Sequence, residues 1–459
     1  MYLLYSLLLT VGIIVLLPRF AIDALRAGKY VTGLRQRLGR LPNLPGSDQP
    51  LIWIHCVSVG ETEAARPLIN ALRERLPNHR LVISTTTVTG QHVAQRAFSE
   101  IATAIFYFPI DWLWTVRRVL RTLRPAAVVI VETELWPNLF RECRNQSIPI
   151  ALVNGRISGT SFRRYMWIRS FMAHILKGVT VASMQSSADA ERIQQLGMPA
   201  NRIEVYGNLK FDSAVDSGIT DPITQELCER FGFKTNDNAN ERLLIAASTH
   251  DHEEAVVLEA FTHLSQRQPG QRVRLIIAPR HPERFDAVAE QIRASGFRWA
   301  RRSGVSSASD RKCDILLLDS IGELRSVYPL ADVAFIGGSI VPRGGHNVLE
   351  PAAQGVCAIT GPHMNNFAAI TKALVDRGGL VQLPNVSSYE SPAVLASTVA
   401  ELLSDDDRRR GISELALAVC EENRGATEHT IQAIVHMLNH TSTAAESLPF
   451  TPYHVTATK

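Results

Sequence analysis

Residues 51–61 read LIWIHCVSVGE. The run from Leu51 to Val57 has the length and apolar continuity of a strand buried on both faces, and Gly60 permits a tight turn behind it. Pro67 is tolerated only in or near a first helical turn, so the next helix is expected to start near Glu63 to Arg66. A buried strand that passes at once into a helix is the repeating unit of a parallel sheet. The same pattern recurs along the chain. Strands are expected at 51–57, 81–85, 104–108, 127–131, 148–153 and 179–182 in the front half, and at 243–247, 273–278, 315–318, 333–336 and 357–360 in the back half. Helical patterns such as 68–76, 252–265 and 283–294 fall between them. The expected fold class is therefore α/β, with two doubly wound parallel-sheet domains facing a cleft and ligands beyond the carboxyl ends of the strands. The polar stretch from Thr235 to Glu241 marks the boundary region, and the Ser/Thr-rich tail at 441–459 is expected to lie on the surface or stay disordered.

With 459 residues, 46% of them apolar, and a mean hydropathy of +0.01, the chain suits a packed protein. That composition excludes a disordered or many-span membrane chain. The net charge is only +4, but residues 1–180 carry 22 Lys+Arg against 10 Asp+Glu, and residues 181–459 carry 26 against 34. A front part at +12 joined to a back part at −8 implies different partners for the two. The six cysteines form no close pair and no CxxC, which argues against a zinc ribbon or redox motif and points to a reducing compartment. The basic residues lack interleaved aromatics and no nucleic-acid module is present, so nucleic acid is not an expected partner.

Residues 2–17 are apolar and uncharged, and Pro18 and Arg19 follow. Met1 meets this run directly and no small-residue cleavage site follows it, so cleavage as a signal peptide is not expected. Sixteen residues make roughly 24 Å of helix, short of a hydrocarbon core of ~30 Å. Phe20, Ala21 and Ile22 extend the run, and Arg19 can snorkel. A single anchor over 1–22 is expected, spanning or dipping in from one face, with a buried core helix as the alternative. Arg19, Arg26, Lys29, Arg35, Arg37 and Arg40 behind it would keep the rest of the chain cytoplasmic. Arg117, Arg118, Arg121 and Arg124 lie at helical spacing and read either as a solvated face or as a contact for anionic lipid.

Several strand ends carry chemistry. Glu61 lands at the end of the first strand, where it reads either as a general base or as an acid capping the next helix. Glu132 and Glu134 follow the 127–131 strand, one expected to face the cleft and the other to cap or pair. In Gly207-Asn208-Leu209-Lys210-Phe211-Asp212, Lys210 can meet an anionic group or pair with Asp212. In the back half, Pro279-Arg280 puts a guanidinium at a strand end, suited to phosphate or carboxylate. Ile321-Gly322-Glu323 follows the 315–318 strand in the same manner. The densest signal runs from Gly337-Gly338-Ser339 to Gly344-Gly345-His346-Asn347-Val348-Leu349-Glu350-Pro351. Two Gly pairs let backbone N–H groups approach a ligand, Pro351 places a helix start whose positive end can hold a phosphate, and Glu350 suits a ribose diol. Together these features favour nucleotide binding over a plain structural turn. His250-Asp251-His252-Glu253-Glu254 resembles a metal cluster but reads as an acidic helix start, and no metal is expected.

The strings VSVGE (57–61), VETELWPN (131–138), GNLKFD (207–212), APRHPERF (278–285), GELRSVY (322–328) and GGSIVPRGGHNVLEPAA (337–353), with the N-terminal anchor, run across nearly the whole chain. In that order they resemble the 3-deoxy-D-manno-octulosonic acid (Kdo) transferases of lipopolysaccharide assembly. The resemblance implies a GT-B fold and an inverting, metal-independent transfer of Kdo from CMP-Kdo to the lipid A precursor at the inner membrane, with no resident cofactor. It implies an anchor at 1–22, an acceptor domain at 23–209 and a CMP-Kdo domain at 210–440, followed by the tail. Glu61 is similar to the family's base, Lys210 to its charge-stabilising residue, and Glu132 to the partner of Lys210. Pro279, Arg280, Ile321, Gly322, Glu323, Asn347, Val348, Leu349 and Glu350 resemble its CMP-binding segments. Arg343 departs from the His found before the Gly pair in many relatives. The alternatives are a GT-B enzyme using a UDP-sugar and a lipid acceptor, or a membrane protein that binds a nucleotide sugar without turnover.

Overall fold

All five residues of strand β1 (Leu51–His55) are buried, as a central parallel strand requires. The computed structural model describes residues 1–27, 33–212, 221–233, 241–267 and 271–442. Most of the 235–241 stretch and of the expected tail lies outside them. The chain divides into two units, residues 1–213 with 423–459, and residues 214–422.

In the first unit β1 is joined by β2 (Arg80–Thr85), β3 (Ala104–Tyr107), β4 (Ala127–Val131), β5 (Ile150–Gly155), β6 (Val181–Met184) and β7 (Ile203–Val205). The sheet order is β3-β2-β1-β4-β5-β6-β7, and every pairing is parallel. Alternate residues of β1 feed two cores. Trp53 packs with Phe106, Val116 and Leu120 on one face, and Ile52 and Ile54 pack with Leu68, Ile69 and Leu72 on the other. The helix Leu113–Leu123 buries Val116, Val119, Leu120 and Leu123 at helical spacing; such side chains contribute ~1.5–3 kcal/mol each when fully buried.

In the second unit the strands are β8 (Glu241–Thr249), β9 (Arg272–Pro279), β10 (Trp299–Arg301), β11 (Ile315–Leu317), β12 (Val333–Ile336), β13 (Cys357–Thr360) and β14 (Val381–Gln382). Their order is β10-β11-β9-β8-β12-β13-β14, again all parallel. Strand order reverses between β1 and β4 in one unit and between β8 and β12 in the other. In open α/β sheets those reversal points are where ligands bind.

One difference from the expected division concerns the last helix, Ala426–Ser442. Rather than completing the second unit, it packs on the helix Arg66–Arg75 and against β6 of the first. Asp212 fixes its start by accepting the N–H groups of Gly425 (2.9 Å) and Thr427 (2.6 Å). Ile431 and Ile434 fill the first unit's core.

The N-terminal apolar run forms the helix Tyr2–Ala27. Its polar side lies on the first unit: Tyr2 meets the Phe171 ring at 5.5 Å, Asn138 Nδ2 donates to Ser6 Oγ at 3.0 Å, and Trp112 Nε1 donates to Thr10 Oγ1 at 3.0 Å. Among the described residues no helix is long and apolar enough to cross a membrane.

Candidate functional site

At the reversal point of the first sheet, β1 and β4 end side by side. The chain leaves β1 through Cys56 and Val57 into the helix Val59–Ala64, which carries Glu61 in its first turn. Glu61 is only 7% exposed. Its Oε2 accepts the Val57 N–H at 2.6 Å and its Oε1 accepts the Ser58 hydroxyl at 2.9 Å. The capping reading is therefore realised, since the side chain reaches back over its own helix start. Burial nevertheless pushes the carboxyl up to about 7, opposed by the Val57 N–H and reinforced by the negative charge of Glu132, with Glu134 adding less. The capping acid is therefore also a buried carboxyl raised toward neutral pH.

Glu132 sits at φ +60°, in the left-handed region that a non-glycine residue rarely occupies. Its N–H is held by the Val153 carbonyl at 2.8 Å. Such strain costs on the order of 1–3 kcal/mol and persists where the surroundings dictate it. Because the backbone turns at Glu132, residues 132–134 do not continue β4. Both charges bear on Glu61, and burial together with Glu132 raises Glu134 in turn. Lys210 lies on the one-turn helix Leu209–Asp212, which packs on the helix carrying Glu61. Asn154, at φ +55° near the end of β5, fixes that turn by accepting the Leu209 N–H at 3.1 Å. The structure thus gathers three carboxylates and brings the Lys210 turn against their support.

Two residues that sequence reasoning passed over support this site. Asp111 is buried and accepts the N–H groups of Asn138 and Leu139, both at 2.9 Å, capping the helix that follows Trp136. Burial holds its carboxyl up at about 7. His55 is buried at the end of β1, with Nδ1 2.9 Å from Ser84 Oγ and its ring stacked on Phe108 at 4.0 Å. Burial lowers its imidazole to about 3.

The second unit's strand ends differ more from expectation. Pro279 is buried and closes β9, and Arg280 is exposed beyond it. Ile321 and Gly322 are exposed, with Gly322 at φ +91°. The Glu323 carboxylate accepts from Ser320 Oγ at 2.7 Å and from Arg302 Nε at 2.8 Å, and Arg302 also forks onto Glu226 with two contacts of 2.7 Å. Asn347 bonds Glu350 through Nδ2 (3.1 Å) and accepts the Leu349 N–H (3.1 Å). Val348 and Leu349 are fully buried core residues, so their side chains cannot meet a ligand. The helix behind them, Leu349–Ala352, is a single turn, too short for the phosphate-holding dipole expected of it.

The first Gly pair serves the protein itself. Gly337 approaches the Ser248 carbonyl so closely that a Cβ would sit 2.6 Å from it. Gly338 takes φ +66°. Their loop closes around Glu253, a residue expected to act only on a helix dipole. His250 and His346, whose pairing no sequence spacing announces, share an Nε2–Nε2 hydrogen bond of 2.8 Å with rings parallel to within 5°. His281 packs edge-on to His250 at 5.1 Å. Burial first, then the charges of His281, Arg343, Arg280 and Arg284, lowers His250 to about 4. Burial likewise lowers His346 to about 3. The only signal for this pair was the place of each His at a strand end or in a Gly-rich loop. Arg117, one of the four expected to form a basic face, is clasped at 2.7 Å by the buried Glu142.

Residues 32–213 match the family model described as 3-deoxy-D-manno-octulosonic-acid transferase (kdotransferase). The chain is 34% identical over 391 residues to the 3-deoxy-D-manno-octulosonic acid transferase of Bordetella pertussis, spanning 83% of this chain and 86% of the relative. It is 30% identical over 411 residues to that of Haemophilus influenzae, spanning 90% and 92%. The chain belongs to the Kdo transferase family. It is a glycosyltransferase, and its activity is Kdo transfer. Kdo transferase membership accords with the strand-end constellations, whose strings carried the resemblance. In structure the chain is similar to the UDP-GlcNAc 2-epimerase of Neisseria meningitidis, with TM-score 0.55, 11% identity, and coverage of 84% of this chain and all of that one. That likeness concerns the fold, two parallel-sheet α/β units of GT-B type.

Proposed function

We propose that the chain transfers Kdo from CMP-Kdo to a hydroxyl of the lipid A precursor, with inversion, at the cytoplasmic face of the inner membrane. The observation that carries this reading is the Glu61 carboxyl, buried at the reversal point of the first sheet and raised to about 7. Such a group is partly ionised at neutral pH and able to take a hydroxyl proton. In the step we assign, Glu61 accepts the proton of the acceptor hydroxyl while its oxygen bonds to the anomeric carbon of Kdo. The bond from that carbon to the phosphate oxygen breaks, and its electron pair leaves on CMP. Attack opposite the leaving phosphate inverts the centre. Glu132 and Lys210 are assigned to balance charge as it moves. CMP is a good leaving group, so the base and this electrostatic support suffice without a resident metal or cofactor.

For the donor, the exposed Arg280 guanidinium suits the phosphate. Pro279, Ile321 and Gly322 are assigned backbone contacts, as are Val348 and Leu349, whose side chains are spent on the core. Asn347, Glu350 and Glu323 suit ribose and base hydrogen bonds, with Arg302 holding Glu323 in place.

For the membrane, we assign a surface-lying helix rather than a span. Leu3, Leu4, Leu7, Leu8, Val11 and Ile14 are exposed on the helix Tyr2–Ala27. Trp114 stacks on Trp112, which bonds the helix, and is itself exposed. Trp167 is 92% exposed beside the helix Arg169–Leu176 on which Tyr2 rests. An apolar helix face flanked by tryptophans dips into the headgroup region, and anionic lipids are its expected partners.

The test is product analysis. Purified full-length chain with CMP-Kdo and the disaccharide lipid A precursor should yield Kdo-bearing lipid of inverted anomeric configuration, with inhibition by CMP. Inhibition by UDP but not CMP would refute CMP-Kdo as the donor. Donor binding without product would refute the lipid A precursor as the acceptor.

A further inference from the structure

The Glu253 side chain is 0% exposed, and its carboxylate accepts five backbone N–H groups. Oε2 takes those of His250 (3.0 Å) and Gly338 (2.7 Å); Oε1 takes those of Ser339 (3.0 Å), Ile340 (2.9 Å) and Val341 (3.3 Å). Successive main-chain N–H groups converging in this way form an anion-binding concavity. Here the fold fills that concavity with its own anion at the reversal point between β8 and β12. The concavity is therefore not open to a donor phosphate. The turn it fixes leads directly into the Gly344–Glu350 loop. Gly345 N–H bonds the Gly338 carbonyl at 2.8 Å. A Cβ on Gly338 would press on the His346 ring at 3.0 Å. Ser339 Oγ, which accepts the Gly361 N–H at 2.8 Å, ties the same turn to the end of β13.

We propose that Glu253 is a positioning residue for donor binding: an internal carboxylate that occupies the 338–341 concavity and so presets His346, Asn347 and Glu350. This rests on the assignment of the 347–350 segment to the donor. Because the interaction is of an anion with N–H donors, a small carboxylate supplied from solution can replace the side chain, whereas a packing role cannot be restored in that way.

The test measures CMP affinity of the full-length chain, of Glu253→Ala and of Glu253→Gln by calorimetry, with acetate or formate added against chloride at equal ionic strength. In Glu253→Ala the Kd for CMP should rise about tenfold or more, since losing a charged acceptor leaves buried donors unpaired. Acetate or formate should recover much of that loss and raise the variant's melting temperature, as any ligand of the folded state does. Chloride should do neither. Glu253→Gln keeps the volume but turns N–H toward N–H, so it should bind CMP weakly and gain nothing from acetate. Wild-type CMP affinity in either variant overturns the proposal, as does a loss in Glu253→Ala that carboxylates leave untouched. If Glu253→Ala is recovered only as aggregate, folded Glu253→Gln with unchanged affinity overturns it alone. Failure of the unmodified chain to bind CMP refutes the donor assignment itself, and the proposal with it.

Discussion

Replacing Ser58 by Ala removes one hydrogen bond from the carboxylate assigned as the base, Glu61. Ser58 does not cap its helix through a backbone N–H; its hydroxyl donates to Glu61 Oε1 at 2.9 Å. That bond favours the ionised carboxylate, so its loss must raise the Glu61 pKa further above the present value of about 7. A buried hydrogen bond to a charged group contributes ~1.5–3 kcal/mol, and half-exposure of Ser58 brings the effect to about 1.4 kcal/mol, or about one pH unit. The acid limb of kcat/KM for the acceptor, at saturating donor, should move from about pH 7 to about pH 8. At pH 7 the ionised fraction falls from about a half to about a tenth, a roughly fivefold loss of rate that vanishes at about pH 9 and above. Glu132→Gln removes a neighbouring negative charge and should shift the same limb downward. A limb that stays in place in Ser58→Ala, or a loss uniform across all pH, refutes the assignment of that limb to Glu61.

Three further outcomes follow from groups away from the chemistry. His55 has its folded pKa lowered from 6.5 to about 3, so the unfolded chain binds its proton more readily. Its contribution to stability is complete above about pH 6.5 and is lost as pH falls toward 3, so His55→Phe, which keeps the stack on Phe108, should show a smaller drop in Tm across that window than the parent; an unchanged drop refutes the sign. Placing Glu at both Leu4 and Leu8 should cut sedimentation with vesicles rich in anionic lipid at least severalfold without lowering Tm, because both side chains already face solvent. Arg117→Ala should leave sedimentation unchanged, since that guanidinium is held by Glu142.

The central strands were legible because each is a short apolar run buried on both faces, and β4 and β12 begin and end where the sequence places them. The three strands that escaped notice, β7, β10 and β14, are edge strands of two or three residues. Ile203–Val205 and Trp299–Arg301 are half-exposed and mix apolar with charged residues, so no run announces them. The N-terminal run was legible as an apolar helix, but its docking through Tyr2, Ser6 and Thr10 depends on Phe171, Asn138 and Trp112, all remote in sequence. Site residues divided along the same line. Glu61 could be found because strand and turn alone place it. Glu253 could not, because four of its five donors come from residues 338–341. Val348 and Leu349 entered the expected donor set through a matching string, which does not show that their side chains are buried in the core. The left-handed turn at Glu132 has no signature in residue type, and it is what lets Glu134 join Glu132 in acting on Glu61.

The most direct measurement of the central claim pairs transfer with binding in Glu61→Gln. The substitution keeps the side chain's size and removes its ability to take a proton, and Glu61 belongs to a different unit from the assigned donor residues. Kdo transfer to the lipid acceptor should fall by about 100-fold or more, the scale of a lost general base, while the Kd for CMP stays within about twofold of the parent. Transfer near the parental rate in Glu61→Gln would contradict that claim.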